Sequence, residues 1–375
     1  MNTSNITKEQ LGFTINCLKQ INKNNEESFI FSPISILITL VMILFGSSND
    51  THLQIKNAIS SYDDVAIIYK YYSDVHQRLQ IDDPFISLAS FNKPFISSNY
   101  EIQDTYEEFL QDYFNDTIEK ISFQEIPSIV EKINNLVTNT TNGNIRRVIE
   151  ANDIKIDMKF ILINALYFKG DWHTKFLDTE TRMEKFYVTS DENRDVYLMA
   201  LENKFYYHEN DLFQIVSLPY LGKNINMVII LPKVKLNNDK LLENDLNKDI
   251  LLDSLEMMEK VFVKVMIPKF NLENTIDIKS ILKSFGVTDA FIDGKADFNG
   301  IVKNTSLYVS EIKQKAKIEV SEEGTEAAAI TVIKLSLYSG SSVNNGTVKE
   351  FKANHPFTFY IMDTNYNIYF TGIYK

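Results

Sequence analysis

Leu11, Ile15, Leu18 and Ile21 recur every three or four residues, which predicts an amphipathic helix over 11–21. A second helix is predicted over 32–45, with Ser32 as N-cap and Pro33 as its first residue. Its apolar run, 34–45, is twelve residues long and contains Ser35 and Thr39. That is too short to span a bilayer and suits a buried helix. Helical spacing continues through 106–114 and 129–138, before the turn signal "NTTNGN". From Phe160 the pattern changes to strand. "FILINALYFKG" is almost continuously apolar, as expected of a strand covered on both faces. "FQIVSLPYLGKNINMVIILP" predicts two strands around a turn at Gly222, and "VFVKVMIPKF" predicts another. "IKSILKSFG" predicts a short helix stopped at Gly286. The closing "HPFTFYIMDTNYNIYFTGIY" predicts an apolar hairpin locked inside a sheet. Helices come first and strands later without regular alternation, so the fold class is α+β.

The stretch "SEEGTEAAAITVIKLSLYSGSS", 321–342, fits neither pattern throughout. Glu322, Glu323, Glu326 and the alanines 327–329 favour helix, whereas Ile330, Thr331, Val332 and Ile333 favour a strand. Ser339, Gly340, Ser341 and Ser342 have the composition of an exposed loop. Counted in twos, Thr325, Ala327, Ala329, Thr331, Ile333, Leu335 and Leu337 share one uncharged face. Glu326 and Lys334 both fall on the other. The segment is patterned to enter a sheet, small residues leading, although an ordinary edge strand followed by a turn has the same pattern.

The 375 residues show no repeat, linker or charge run that divides them, and 1–375 is read as one domain. A formal net charge of −12 argues against nucleic acid or an anionic membrane as the main partner. Cys17 is the only cysteine, so no disulfide can form within the chain. The N-terminus lacks the basic start and apolar core of a secretory signal. Location in the cytoplasm, or release without a cleaved signal, is therefore expected. No G-x-S-x-G elbow is present, and none of His52, His76, His173, His208 and His355 has the pattern of a base beside a nucleophile. No phosphate loop, H-x-x-x-H or C-x-x-C is present either. Neither an enzymatic activity nor a metal or cofactor is expected.

"EEGTEAAA" resembles the hinge of the serpin family, protease inhibitors that insert a reactive-centre loop into their own central sheet. The resemblance runs along nearly the whole chain, through "FIFSPISILITLVMILFGSSNDTHLQI", "NLVTNTTNGNI", "LINALYFKGDWHTKF", "IPKFNLENTIDIKSILKSFGVTDAF", "FKANHPFTFYI" and "YFTGIY". It implies eight or nine helices, three β-sheets and an exposed reactive-centre loop, with hinge and loop at 322–350. The hinge comprises Glu322, Glu323, Gly324, Thr325, Glu326, Ala327, Ala328 and Ala329. The family's count of seventeen residues from Glu322 places the scissile bond at Tyr338-Ser339, with Lys334 or Leu337 as the attacked residue if the count slips. A polar network where the sheet opens is matched by Ser32, Ser35, Asn164 and Gln314, the last standing where the family usually has His. Phe168, Lys169 and Trp172 match the site where the hinge first inserts, and Lys269 matches a lysine that pairs with Glu322.

Function follows from the same resemblance. A small hinge points to an inhibitory, metastable serpin, and an aromatic Tyr338 to a chymotrypsin-like target, cathepsin G-like enzymes included, held in a covalent acyl complex. The alternatives are a non-inhibitory carrier, chaperone or storage serpin, or an inhibitor of papain-like cysteine proteases. A monomer capable of loop–sheet polymerisation is implied. The region where some relatives bind heparin reads "SDVHQRLQIDDP", without a basic cluster, so no heparin cofactor is expected.

Overall fold

The computed structural model describes residues 3–23, 25–79, 81–222, 224–234, 238–324 and 348–375. Its helices are α1 (Thr3–Asn22), α2 (Pro33–Phe45), α3 (Asn49–Ile59), α4 (Val65–Arg78), α5 (Asp104–Phe114), α6 (Ile126–Thr140), the short α7 (Asn238–Lys240), α8 (Lys248–Glu256) and α9 (Ile278–Ser284). The first strands are β1 (Phe29–Phe31), β2 (Ile81–Asp82), β3 (Ile86–Ser97), β4 (Glu119–Ile121), β5 (Phe160–Gly170), β6 (Arg182–Tyr187), β7 (Asn193–Glu209) and β8 (Phe213–Pro219). They are followed by β9 (Ile225–Pro232), β10 (Glu259–Pro268), β11 (Phe270–Asp277), β12 (Glu311–Val320), β13 (Lys349–Lys352), β14 (Phe357–Asp363) and β15 (Ile368–Tyr374). No helix among the described residues is long and apolar enough to cross a membrane.

The helix number agrees with the expectation, but the sheets differ from it. Three were implied, and the described strands form two hydrogen-bonded sheets. The cause is β7, seventeen residues long. It pairs with β6 over 193–198, with β10 over 198–207 and with β8 over 206–209, so a single strand is common to two arms of one nine-stranded sheet.

The six-stranded sheet runs β11-β12-β5-β3-β2, with β4 alongside β3. β12 and β5, its central strands, are parallel and register Glu311 with Ile161 through to Ile318 with Phe168. The flanking pairs, β11 with β12 and β3 with β5, are antiparallel. β5 is buried at every position but Lys169, which accounts for its unbroken apolar sequence.

Two layers cover this sheet. On one face lies α2, which touches β3 and β5 of this sheet and β15 of the other. Contact on both sides leaves it no solvent stripe, and its residues from Pro33 to Leu44 are all buried. The Ser32 side chain caps it by accepting from the Ser35 N–H at 3.3 Å. On the other face, Ile129, Ile133 and Val137 of α6 and the segment after it pack over Ile161, Ile163, Ala165 and Tyr167 of β5.

Candidate functional site

The seam between β12 and β5 ends in the hinge. After Val320 the chain turns, with Ser321 and Gly324 exchanging backbone hydrogen bonds at 3.3 Å. Gly324 has φ +100°, and a β-carbon there would lie 2.2 Å from the Gly170 carbonyl oxygen, so only glycine fits. Trp172, two residues beyond β5, donates its indole N–H to Ser321 O at 2.8 Å and its backbone N–H to Glu323 O at 3.3 Å. Its ring stacks on Tyr220 at 4.4 Å, and Phe168 meets the same Tyr220 edge-on at 5.0 Å. The C-terminal ends of the two central strands are thus tied together through the hinge.

Glu322 is the polar anchor of that turn and is only 6% exposed. Lys269 Nζ donates to its carboxylate at 2.8 Å and Thr181 Oγ1 at 2.9 Å, while its carbonyl accepts from the Phe176 N–H at 2.9 Å. Burial acts to raise the Glu322 carboxyl, but the Lys269 bond, its own backbone N–H and the Thr181 hydroxyl outweigh burial and hold it below the usual range. The hydrogen bond that Lys269 donates to Glu322 in turn raises the Lys269 ammonium. Lys169 lies beside Phe168 at the top of β5, in register with Ser87.

Halfway down the seam the expected polar network is assembled. Gln314 and Asn164 are in register across it, and Asn92 of β3 is in register with Asn164. The Gln314 side chain accepts from the Ser32 N–H at 2.7 Å and donates to Ser32 O at 3.0 Å, satisfying both backbone groups of one residue. Gln314 Nε2 also reaches Asn164 Oδ1 at 3.4 Å. Ser35 Oγ contacts Asn164 Oδ1 at 3.1 Å and also Asn92 Oδ1, and Asn164 Nδ2 donates to Thr39 Oγ1 at 2.6 Å. All of these residues are buried. The network therefore ties β3, β5 and β12 to the start of α2, in surroundings where an unmade hydrogen bond is costly.

The structure brings together Ser32, Ser35, Asn164 and Gln314, and separately Glu322, Glu323, Gly324, Trp172, Phe168 and Lys269. Thr39, Asn92, Thr181, Phe176 and Tyr220 were missed. Thr39 carried a signal, being one helical turn beyond Ser35 in an otherwise apolar helix. The hinge residues Thr325, Glu326, Ala327, Ala328 and Ala329 and the bond Tyr338-Ser339 lie outside the described residues.

The family pattern described as serpin (serine protease inhibitor) matches residues 8–374, and the chain belongs to that family. It is 31% identical to serpin B6 of Macaca fascicularis over 370 residues, covering 95% of this chain and 94% of the relative. It is 29% identical to antichymotrypsin-2 of Bombyx mori over 377 residues, 100% of this chain and 99% of the relative. Among solved structures it resembles native tengpin, a thermophilic serpin, with a TM-score of 0.88 at 27% identity over 98% of this chain and 93% of the other. It also resembles uncleaved ovalbumin, with a TM-score of 0.87 at 25% identity over 98% of both chains.

Two outcomes are expected of this site. Glu322→Gln removes the ion pair with Lys269 while keeping the side chain's length. It should lower stability against urea by about 1–2 kcal/mol, less than for a fully buried pair because the lysine end is half-exposed. Since the carboxyl's folded value lies below its unfolded value of about 4.3, the contribution of this tie is complete above that pH. It is lost as pH falls through the lowered folded value, so the stability difference between wild type and variant should shrink in acid and stay constant near neutrality. Gln314→Ala leaves the buried Ser32 N–H without its partner and Ser32 O with the Ile36 N–H alone, and should cost about 1–3 kcal/mol in the same measurement.

Proposed function

We propose that the chain is a suicide-substrate inhibitor of a chymotrypsin-like serine protease, with cathepsin G-like enzymes among its targets, attacked at Tyr338-Ser339. The observation that carries this reading is the parallel pairing of β12 with β5 beneath a tied hinge. A chain that turned back at Gly324 and ran down between them would be antiparallel to both. One parallel ladder of eight registered positions would become two antiparallel ladders, each slightly more stable per residue.

The chemistry is that of an ordinary acyl transfer held at its midpoint. The protease serine attacks the Tyr338 carbonyl, the bond to Ser339 breaks, and the new amine of Ser339 leaves with the C-terminal piece. The Tyr338 ester stays on the protease while Thr325–Tyr338, fourteen residues, enter the sheet. At about 3.3 Å per residue this strand is about 46 Å long, so the tethered protease is carried down the sheet and its catalytic site is deformed before water can cleave the ester. Thr325, Ala327 and Ala329 are small and uncharged on the face that leads, which supports entry. The aromatic Tyr338 suits a deep apolar pocket, and the name of the Bombyx mori relative, antichymotrypsin, supports the same target class.

Ovalbumin shares the fold, and the two readings separate at the hinge. Incubation with chymotrypsin is expected to yield a covalent complex stable to denaturing gel electrophoresis, together with release of a peptide beginning at Ser339 by intact-mass analysis. Cleavage without a complex would overturn the proposal. Thr325→Arg should be cleaved at the same bond but, with a charge that must enter first, be turned over mainly as a substrate, requiring about tenfold more serpin per protease inhibited.

A further inference from the structure

Where β7 passes from pairing with β10 to pairing with β8, one face of the nine-stranded sheet is open to solvent. Lys204 and Tyr206 of β7 are exposed on it, while Phe205 and Tyr207 between and beyond them are buried. Lys260 and Phe262 of β10 are exposed on the same face. Register sets Lys204 opposite Phe262 and Lys260 opposite Tyr206, so each lysine stands against an aromatic ring. Lys204 Nζ lies 5.0 Å from the centre of the Phe262 ring.

On its other side Tyr206 is in register with Ser217 of β8, and Pro219 of β8 with Asn226 of β9. These residues continue the face, and Ser217 is too small to fill it beside the Tyr206 ring. A cleft of about 450 Å³ results. The segment after β5 closes one end of it. There the His173 N–H bonds to Pro219 O at 2.9 Å, and Asn203 Nδ2 donates to Thr174 Oγ1 at 3.2 Å.

Three bases line this cleft, Lys204, Lys260 and His173, and no carboxylate does, in a chain whose formal net charge is −12. Neither lysine has a carboxylate partner among the described ion pairs. Glu202, next along the face, is in register with Lys264. We propose that the cleft binds a small aryl anion, a flat apolar ring that carries a phosphate, sulfate or carboxylate. The lysines meet the anionic group, the Tyr206 ring and Pro219 take the flat ring, and the Ser217 hydroxyl and Asn226 amide supply neutral polar contacts. Glu202 and Glu259 flank the two lysines in sequence, which confines the positive zone to the size of a small molecule and does not suit a long polyanion. Two exposed lysines alone hold a free anion weakly, so the apolar wall is needed for affinity. The cleft lies outside the β5–β12 seam, and the proposal does not depend on the inhibitory reading.

The probe is 1-naphthyl phosphate, titrated into the intact protein by isothermal titration calorimetry, with 1-naphthol and inorganic phosphate as comparators. The aryl phosphate should bind saturably, and each comparator, lacking one half of the ligand, at least about tenfold more weakly. Lys204→Gln with Lys260→Gln should weaken the aryl phosphate at least about tenfold, the loss of one charge-assisted hydrogen bond or more. Lys204→Arg with Lys260→Arg should keep it within about threefold of wild type. Ser217→Phe fills the hollow without touching a charge and should also weaken binding about tenfold or more. Melting temperatures without ligand report whether each variant is folded, and the exposed Gln pair decides the matter if Ser217→Phe is not. Wild-type affinity in the Gln pair or in folded Ser217→Phe would overturn the proposal. So would inorganic phosphate binding as tightly as the aryl phosphate, or no saturation by 1-naphthyl phosphate at about 1 mM.

Discussion

A parallel pair of strands at the centre of a largely antiparallel sheet is the constraint on which this structure turns. Parallel strands cannot be joined by a tight turn, and β5 and β12 are separated in the chain by five strands, β6 to β10, of the other sheet and by β11. Their pairing is therefore held by what surrounds it. At the top, Glu322 is clasped by Lys269 and Thr181 while Trp172 bonds to both sides of the turn. Halfway down, Gln314 and Asn164 share a polar network with the start of α2. On the far face, the lysines of β12 reach the segment leading into β5.

The physics of these ties differs from that of the core. Apolar contacts over β5 are non-directional and would be remade, with small adjustments, if the sheet gained a strand. Hydrogen bonds across the seam are directional and short, and a displacement of one strand spacing breaks each of them outright. The seam between β5 and β12 is thus held by directional polar contacts in addition to the apolar core. Under the proposed inhibitory function, such ties would supply a kinetic barrier to expansion of the sheet.

Much of this was legible in the sequence, and the limits were physical. β5 was legible over Phe160–Gly170 because burial on both faces leaves an unbroken apolar run, and α2 because Ser32-Pro33 is a strong start signal. Helix α3, by contrast, buries only Thr51, Ile55 and Ile59 among polar residues, as in "NDTHLQIKNAI", and β7 is exposed along much of one side, so neither pattern stands out. The sharing of β7 between two arms of one sheet depends on pairing register, which periodicity does not encode. Of the site, Ser32, Ser35, Asn164 and Gln314 share one hydrogen-bonded network, and Glu322 meets Lys269 beside Trp172, while Thr325–Ala329, Tyr338 and Ser339 lie outside the described residues. Asn92 and Thr181 did not announce themselves, since a polar side chain that meets a partner and one that meets water look alike in a sequence until the opposing segment is known.

Under the proposed function, the seam between β5 and β12 receives the chain after Gly324 as a new strand. Hydrogen–deuterium exchange, read by peptide in the intact protein and after cleavage within the loop, tests it directly. Residues 325–338 should become strongly protected on cleavage, with protection of β5 and β12 retained or increased on both sides of the seam. Fast exchange of 325–338 after cleavage, with β5 and β12 unchanged, would contradict it.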